Sequence, residues 1–408
     1  MEYKELAKLY HMDASSSRDQ AAAEELRARR NAESSFHTHF ETPNGELFFT
    51  VPRELSLLSE RILCTEREVS SALNALPEIA GSAILRSMVL DEVVCTNAIE
   101  DIHSTRRQIK DALDAAQSDS ADFRRFKELA VLYMNLVDGS GTLPASPADI
   151  RAIYDKVTAG EIAPADLPDG ILFRKEGVDI TSGGVRVLHR GLEPESRIIK
   201  AMEEMLALAS SDAMPSLYSA IASHYIFEHA HPFYDGNGRT GRYLLSLFLS
   251  EPLSVPTALS LSSTIADHKS AYYQAFKSVE EKLNHGELTF FIYTMLEFIR
   301  EAQLAIIKRL EACARKLDEL DGIMGNITSN VKLRNKEAQV IHLLLQYKAF
   351  GLFGDASVQE IADYLGVGKQ QARKYIAALE EEGICQKLNS YNPITFKLTD
   401  EFVATYDA

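Results

Sequence analysis

One stretch constrains this chain more than any other: His229-Ala-His-Pro-Phe-Tyr-Asp-Gly-Asn-Gly-Arg-Thr-Gly-Arg242. An apolar helix over residues 217–230 runs into it, and the helical run Tyr243–Glu251 leaves it. Between them, Gly236, Asn237 and Gly238 make a loop small enough for backbone N–H groups to turn into one concavity. The helix that opens there adds partial positive charge, so the element is an anion site suited to phosphates. Arg239 and Arg242, three residues apart in the first turn, share a face. Two guanidiniums at the unfavourable end of a helix dipole need a reason, and a bound polyphosphate is one. Asp235 is placed to hold Mg²⁺ through one carboxylate. His231, four residues earlier, can take a proton from an incoming hydroxyl while the loop holds an electrophilic phosphate.

Competing templates fail. The chain has no GxxxxGK[ST] phosphate loop. His224 and Glu228-His229 are separated by three residues where the inverted zinc-protease pattern requires two. The segment from His231 to Arg242 instead resembles the signature HxFx(D/E)GNGRxxR of Fic-domain proteins at every fixed position. That resemblance, which extends over about residues 80–300, implies a mostly α fold: a helical core carrying a β-hairpin flap. It implies a protein adenylyltransferase, moving AMP from ATP·Mg²⁺ to a target hydroxyl and releasing pyrophosphate. His231 is then the base, Asp235 the metal ligand, and Phe233, Gly236, Asn237, Gly238, Arg239 and Arg242 the ATP site. Tyr272 and Tyr273 resemble aromatic residues of the nucleotide pocket, although a tyrosine pair on a helix is as often packing. The implied partner is a protein bearing a Ser, Thr or Tyr hydroxyl, with self-modification and a homodimer both compatible.

Two further segments match the same family. Thr96-Asn-Ala-Ile-Glu100-Asp101 resembles the inhibitory motif (S/T)xxxE(G/N), in which Glu100 would pair with Arg242 in place of the ATP γ-phosphate. The departure is Asp101, where a second negative charge could alter how tightly the brake sits. Gly170–Arg174 and the alternating Val178, Ile180, Val185 and Val187 around Ser182-Gly183-Gly184 resemble the flap that holds a target segment by strand addition. This hairpin reads as isolated among helices. The same glutamate could orient water for removing AMP, so de-AMPylation stays open.

The rest of the chain sets the frame. Glycine (21) and proline (13) are scarce in 408 residues, which favours helices. A net charge of −16 opposes broad binding to nucleic acid or anionic membranes. The four scattered cysteines, Cys64, Cys95, Cys313 and Cys385, form no CxxC pair and suit a reducing cytoplasm. The N-terminus has no signal-peptide pattern, and no apolar run approaches a membrane span. Residues 14–40 read as a polar helix or arm ending in a solvated loop with His37 and His39, two ligands without a third. A helix is expected over 81–102, another from Ser146, and a long one over about 287–320 that gives way at the polar Gly325–Asn330. The resulting division is an N-terminal helical region (1–75), a Fic catalytic domain with its inhibitory helix (76–300), a connecting helix and linker (301–330) and a winged helix-turn-helix (331–408). In the last, Lys369, Gln370, Arg373 and Lys374 could meet DNA, but nine basic residues against ten acidic ones are poor for a DNA reader. A transcriptional regulator with an ATP-sensing core is therefore the alternative from another class.

Overall fold

The computed structural model describes residues 2–114, 126–182, 186–351, 354–388 and 394–406. The described elements are mostly helices with small antiparallel sheets. They fall into two compact units, residues 1–69 with 88–306 and residues 70–87 with 307–408.

The first unit opens with α1 (Leu6–Met12) and α2 (Arg18–Arg30), then the strands β1 (Ser35–Thr42) and β2 (Gly45–Thr50). Here the structure corrects the solvated loop: His37 and His39 lie on β1, antiparallel to β2, and both imidazoles approach Glu46, at 3.0 and 3.2 Å. The hairpin is held by its apolar residues: Phe40 of β1 and Leu47, Phe48 and Phe49 of β2 are buried. The N-terminal region is thus part hairpin, while the flap hairpin is a two-stranded sheet of its own.

Helices α3 (Arg53–Asn74) and α4 (Glu78–Ile99) follow, then α5 (Arg106–Asp114), α6 (Lys127–Val137) and α7 (Pro147–Val157). Ser146 starts α7 as expected, with a reciprocal capping box to Asp149 and proline at the first turn. Strands β3 (Asp179–Ser182) and β4 (Arg186–Arg190) pair antiparallel; Val185 of the expected hairpin lies outside the described residues. Next come α8 (Glu195–Ala209), α9 (Ser216–Ala230), α10 (Asn237–Leu249), α11 (Val255–Ala258), α12 (Leu261–Asp267) and α13 (Lys269–Glu280). Nearly every residue of α9 and α10 is buried, so these two apolar helices form the centre of the unit. The segment joining them, residues 231–236, is therefore held from both ends by core packing.

Helix α14 spans Thr289–Asn330 without a break. The boundary expected at Gly325–Asn330 is instead its last turns. Thr328, Ser329 and Asn330 turn their side chains back onto the carbonyls of Met324, Gly325 and Asn326, so these polar residues continue the helix rather than end it.

In the second unit, α15 (Asn335–Phe350), β5 (Ala356–Ser357), α16 (Val358–Leu365), α17 (Lys369–Glu381), β6 (Cys385–Lys387), β7 (Thr395–Leu398) and α18 (Asp400–Tyr406) surround their own apolar core. The sheet order is β5-β7-β6. Ser357 caps α16 in a capping box with Glu360, and Gly366 ends it at a positive φ of 63°. Ala372, Ile376 and Leu379 of α17 point inward.

Candidate functional site

Helix α9 ends at His231, which takes a left-handed conformation (φ 49°, ψ 63°) uncommon for a residue with a side chain. Arg174, wholly buried, holds that turn. Its guanidinium donates to the carbonyls of His231 (2.8 Å), Ala230 (3.2 Å) and Glu176 (2.6 Å). The loop carrying Arg174 is fixed in turn by Glu195, which accepts the amides of Ile171, Leu172 and Phe173 at 2.8–3.0 Å. The His231 imidazole has no hydrogen-bond partner at Nδ1. Burial, then the nearby charges of His189 and Arg174, push its pKa down to about 3, so the ring is neutral and able to accept a proton. An anion bound beside it would raise that value.

The loop is built to open α10. Asn237 closes it, accepting the Phe233 amide (2.9 Å) and donating to the Phe233 carbonyl (2.8 Å). Phe233 itself is buried, stacked on Tyr154 with centroids 3.6 Å apart. Gly236 caps the helix at φ 80°, and a methyl group there would overlap Thr158, so the position requires glycine. Asp235 is exposed, and the Gly236 amide donates to its Oδ1 at 2.6 Å. That leaves an oriented, exposed carboxylate on the loop, of the kind that suits Mg²⁺.

A cavity of about 150 Å³ opens over this loop. Its walls include His231, Gly238, Arg242, Tyr272, Tyr273 and Glu100. Arg242 is buried and fully engaged by α4: Nη1 meets Glu100 Oε1 at 2.7 Å, Nε donates to Thr96 Oγ1 at 2.8 Å, and Nη2 donates to the Thr96 carbonyl at 2.9 Å. A methyl group on Gly238 would overlap the Glu100 carboxylate. The cavity is smaller than the roughly 300–1,000 Å³ usual for small-molecule sites, and Glu100 fills part of what remains. Arg239, by contrast, is not part of this wall. It is buried against Glu161 at 2.6 Å, so the two arginines that share a helix face in sequence have separate partners. Tyr272 and Tyr273 do line the cavity, and His224 Nε2 lies 2.7 Å from the Tyr272 hydroxyl.

The end of α4 explains Asp101. Ile102 N–H donates to the Asn97 carbonyl and Asp101 N–H to that of Ala98, a Schellman ending in which Ile99 is the last helical residue and Glu100 the C-cap. Asp101 is the left-handed residue (φ 58°). The glycine or asparagine usual in the family motif therefore answers a backbone demand. The Asp101 carboxylate itself turns to the exposed Lys269, 3.2 Å away.

Other side chains reach the site only through the fold. Arg174 and Glu161 are two. Glu228 is a third: its Oε1 is buried without a partner, and burial, opposed by Arg242, pushes its pKa up to about 8. The sign follows from proton counting. Between the ordinary value of 4.5 and about 8, the folded chain holds a proton that the unfolded chain has lost, so stability falls as pH rises through that window. Glu228→Gln is expected to flatten this decline, by on the order of 2–4 kcal/mol between pH 5 and 9, as read by urea denaturation at both. An unchanged slope would remove Glu228 as its source.

Of the flap residues, Val178 precedes β3, Ile180 lies on β3 and Val187 on β4. The base of the hairpin is closed by Arg190, which donates to both oxygens of Asp179 at 2.7 and 3.2 Å. In the second unit, Lys369, Gln370, Arg373 and Lys374 lie on the exposed face of α17, opposite Ala372 and Ile376.

A family model described as the Fic/DOC family matches residues 144–249. Residues 144–249 form a Fic/DOC-family domain. His231, the loop 236–238, Arg239, Arg242, Arg174 and the β3–β4 hairpin lie inside this range, whereas Glu100, Tyr272 and Tyr273 lie outside it. Protein adenylyltransferase Fic of Drosophila mojavensis is 27% identical over 238 residues, covering 56% of this chain and 44% of that protein. The chain thus spans less than half the length of this relative. Among solved structures, a Fic family protein from Desulfovibrio desulfuricans G20 is 19% identical, with TM-score 0.48 over 83% of this chain and 96% of its own. Fic-1 from C. elegans (residues 134 to 508) is 17% identical, with TM-score 0.44 over 64% and 74%. No helix among the described residues is long and apolar enough to cross a membrane.

Proposed function

We propose that this protein is a protein adenylyltransferase whose basal activity is restrained by Glu100. The observation that carries the reading is the shared cavity, where neutral His231, Gly238 at the start of α10 and Arg242 meet, with Glu100 seated on Arg242. In the reaction, the target hydroxyl oxygen bonds to the α-phosphorus of ATP and the bond to pyrophosphate breaks. His231 takes the hydroxyl proton. Arg242 and the α10 N-terminus bind the phosphates, once Glu100 has left the guanidinium. Asp235 would hold Mg²⁺, which supplies charge neutralisation to the nucleotide when bound. Tyr272 and Tyr273 wall the nucleotide side. The β3–β4 ribbon would present an edge for a target segment to add to as a strand. Intact-mass analysis after incubation with ATP·Mg²⁺, wild type beside Glu100→Gly, tests the reading through an AMP adduct. Absence of any adduct in both, with ATP bound, would overturn it. Loss of AMP from a pre-modified protein, dependent on Glu100, would instead favour the reverse reaction.

Asp101 gives a second measurement. Asp101→Gly relieves a left-handed aspartate, worth roughly 1 kcal/mol, and gives up only an exposed ion pair. The helix end that holds Glu100 tightens, so self-modification is expected to fall about fivefold. A rise on this substitution would make the Asp101 charge, rather than its backbone, the controlling feature.

For the C-terminal unit we retain the winged-helix reading, on the order α15, β5, α16, α17, β6, β7 with its three-stranded sheet. DNA contact through Lys369, Gln370, Arg373 and Lys374 predicts salt-dependent retention on duplex DNA that vanishes when the three basic residues become alanine.

A further inference from the structure

On another part of the cavity wall, three side chains that the AMP-transfer reading does not use come together from three elements. His189 is at the end of β4, His229 is in the last turn of α9, and Glu280 ends α13. One ligand atom from each lies within 4.8 Å of the others. Glu280 Oε1 is 2.6 Å from His189 Nδ1 and 3.7 Å from His229 Nδ1. We propose that His189, His229 and Glu280 form a zinc site that ties the end of the flap hairpin to the helical core.

The donor set is two imidazoles and a carboxylate, a combination that leaves a tetrahedral Zn²⁺ one open position. Bonds of about 2.0–2.1 Å at tetrahedral angles place donor atoms roughly 3.3 Å apart, so the separations of 2.6 and 3.7 Å from Glu280 need changes of under about 1 Å, and the pair of imidazole nitrogens, within 4.8 Å, about 1.5 Å at most. The surroundings suit the role. His189 Nε2 lies 2.7 Å from the His229 carbonyl, the outer hydrogen bond that fixes the ring and tautomer of a metal-bound histidine. His229 is only 7% exposed, and its Nδ1 has no hydrogen-bond partner. Its ring is also clamped, stacked on Tyr225 and edge-on to Phe40. A simple His189–Glu280 ion pair leaves that buried nitrogen with Glu280 Oε1 at 3.7 Å, beyond hydrogen-bond reach, a deficit that a metal would remove. His189, His229 and Glu280 line the same cavity as His231. With Zn²⁺ bound, β4 is anchored at His189, and a target segment adding to the ribbon meets a fixed edge.

The test uses tag-free, full-length protein stripped with chelator, titrated with Zn²⁺ by calorimetry and with Co²⁺ by visible absorption. Expected are one Zn²⁺ per chain and a tetrahedral Co²⁺ spectrum. His189→Ala and Glu280→Gln should each weaken binding at least tenfold while keeping the wild-type unfolding midpoint of the metal-free protein. Should either fail to fold, His189→Asn, which keeps a polar side chain without a good zinc donor, reads the same loss. His37→Ala/His39→Ala should leave binding unchanged, which separates the site from the β1 histidines. His231→Ala should also keep Zn²⁺, so failure of the transfer reading and failure of this one are distinguishable. No stoichiometric Zn²⁺, a six-coordinate Co²⁺ spectrum, or wild-type affinity in His189→Ala and Glu280→Gln would overturn the proposal.

Discussion

His231→Ala is expected to lower AMP transfer by roughly 10²–10⁴-fold, the usual contribution of a positioned general base. The structure gives three reasons for assigning so large an effect to one ring. The imidazole is neutral, it lines the cavity that holds Gly238 and Arg242, and its backbone is fixed by Arg174. Nucleotide affinity should change little, because the phosphate contacts come from α10. The left-handed backbone at this position complicates alanine, which tolerates it less well than histidine. His231→Asn accepts that conformation and offers no base, so it should lose transfer equally while keeping the native unfolding midpoint. Transfer in the asparagine protein within tenfold of wild type would assign the base elsewhere. Transfer is read as radiolabel from α-labelled ATP, beside equilibrium binding of a non-hydrolysable nucleotide.

Glu100→Gly is expected to raise self-modification roughly 10- to 100-fold. That range corresponds to a charge-assisted hydrogen bond of about 1.5–3 kcal/mol that ATP no longer has to displace. Two consequences should appear together: more label per unit time and a lower ATP concentration for half-maximal rate. Arg242 stays tied to Thr96 in this variant, so its guanidinium remains oriented for phosphate. Glu100→Gln, which keeps the shape and removes the charge, should give a smaller rise in the same direction. Equal labelling by wild type and Glu100→Gly would remove the brake from the mechanism.

What could be read from residues alone was the chemistry that is contiguous in the chain. His231 through Arg242 is one loop and one helix turn, and its local geometry follows from glycine, asparagine and the helix terminus. Thr96 in the last turn of α4 and Glu100 at its cap are four apart, so a single helix end carries both to Arg242. Side chains that arrive by tertiary packing left no such signal. Glu161 meets Arg239 from the end of α7, Arg174 grips the α9 terminus from a loop, and Glu280 reaches two histidines from α13. The β1 strand was hidden because His37, Thr38 and His39 look like solvent residues. Their partner, Glu46, lies across the hairpin. The end of α14 was hidden for the opposite reason: its polar residues satisfy their own helix. The equal face expected for Arg239 and Arg242 did not anticipate that each guanidinium is long enough to choose its own acid.

The Schellman ending of α4 places Glu100 at the one part of a helix that frays. Two backbone hydrogen bonds, donated by the amides of Asp101 and Ile102, close the turn that carries it. On the proposed brake, release would need only the loss of that terminal turn, the kind of segment that opens at low local free energy. Hydrogen exchange at those two amides would time the opening directly. Anything that lengthens or shortens the life of that turn, a docked partner or a few degrees of temperature, becomes a control on how often the site is ready to react.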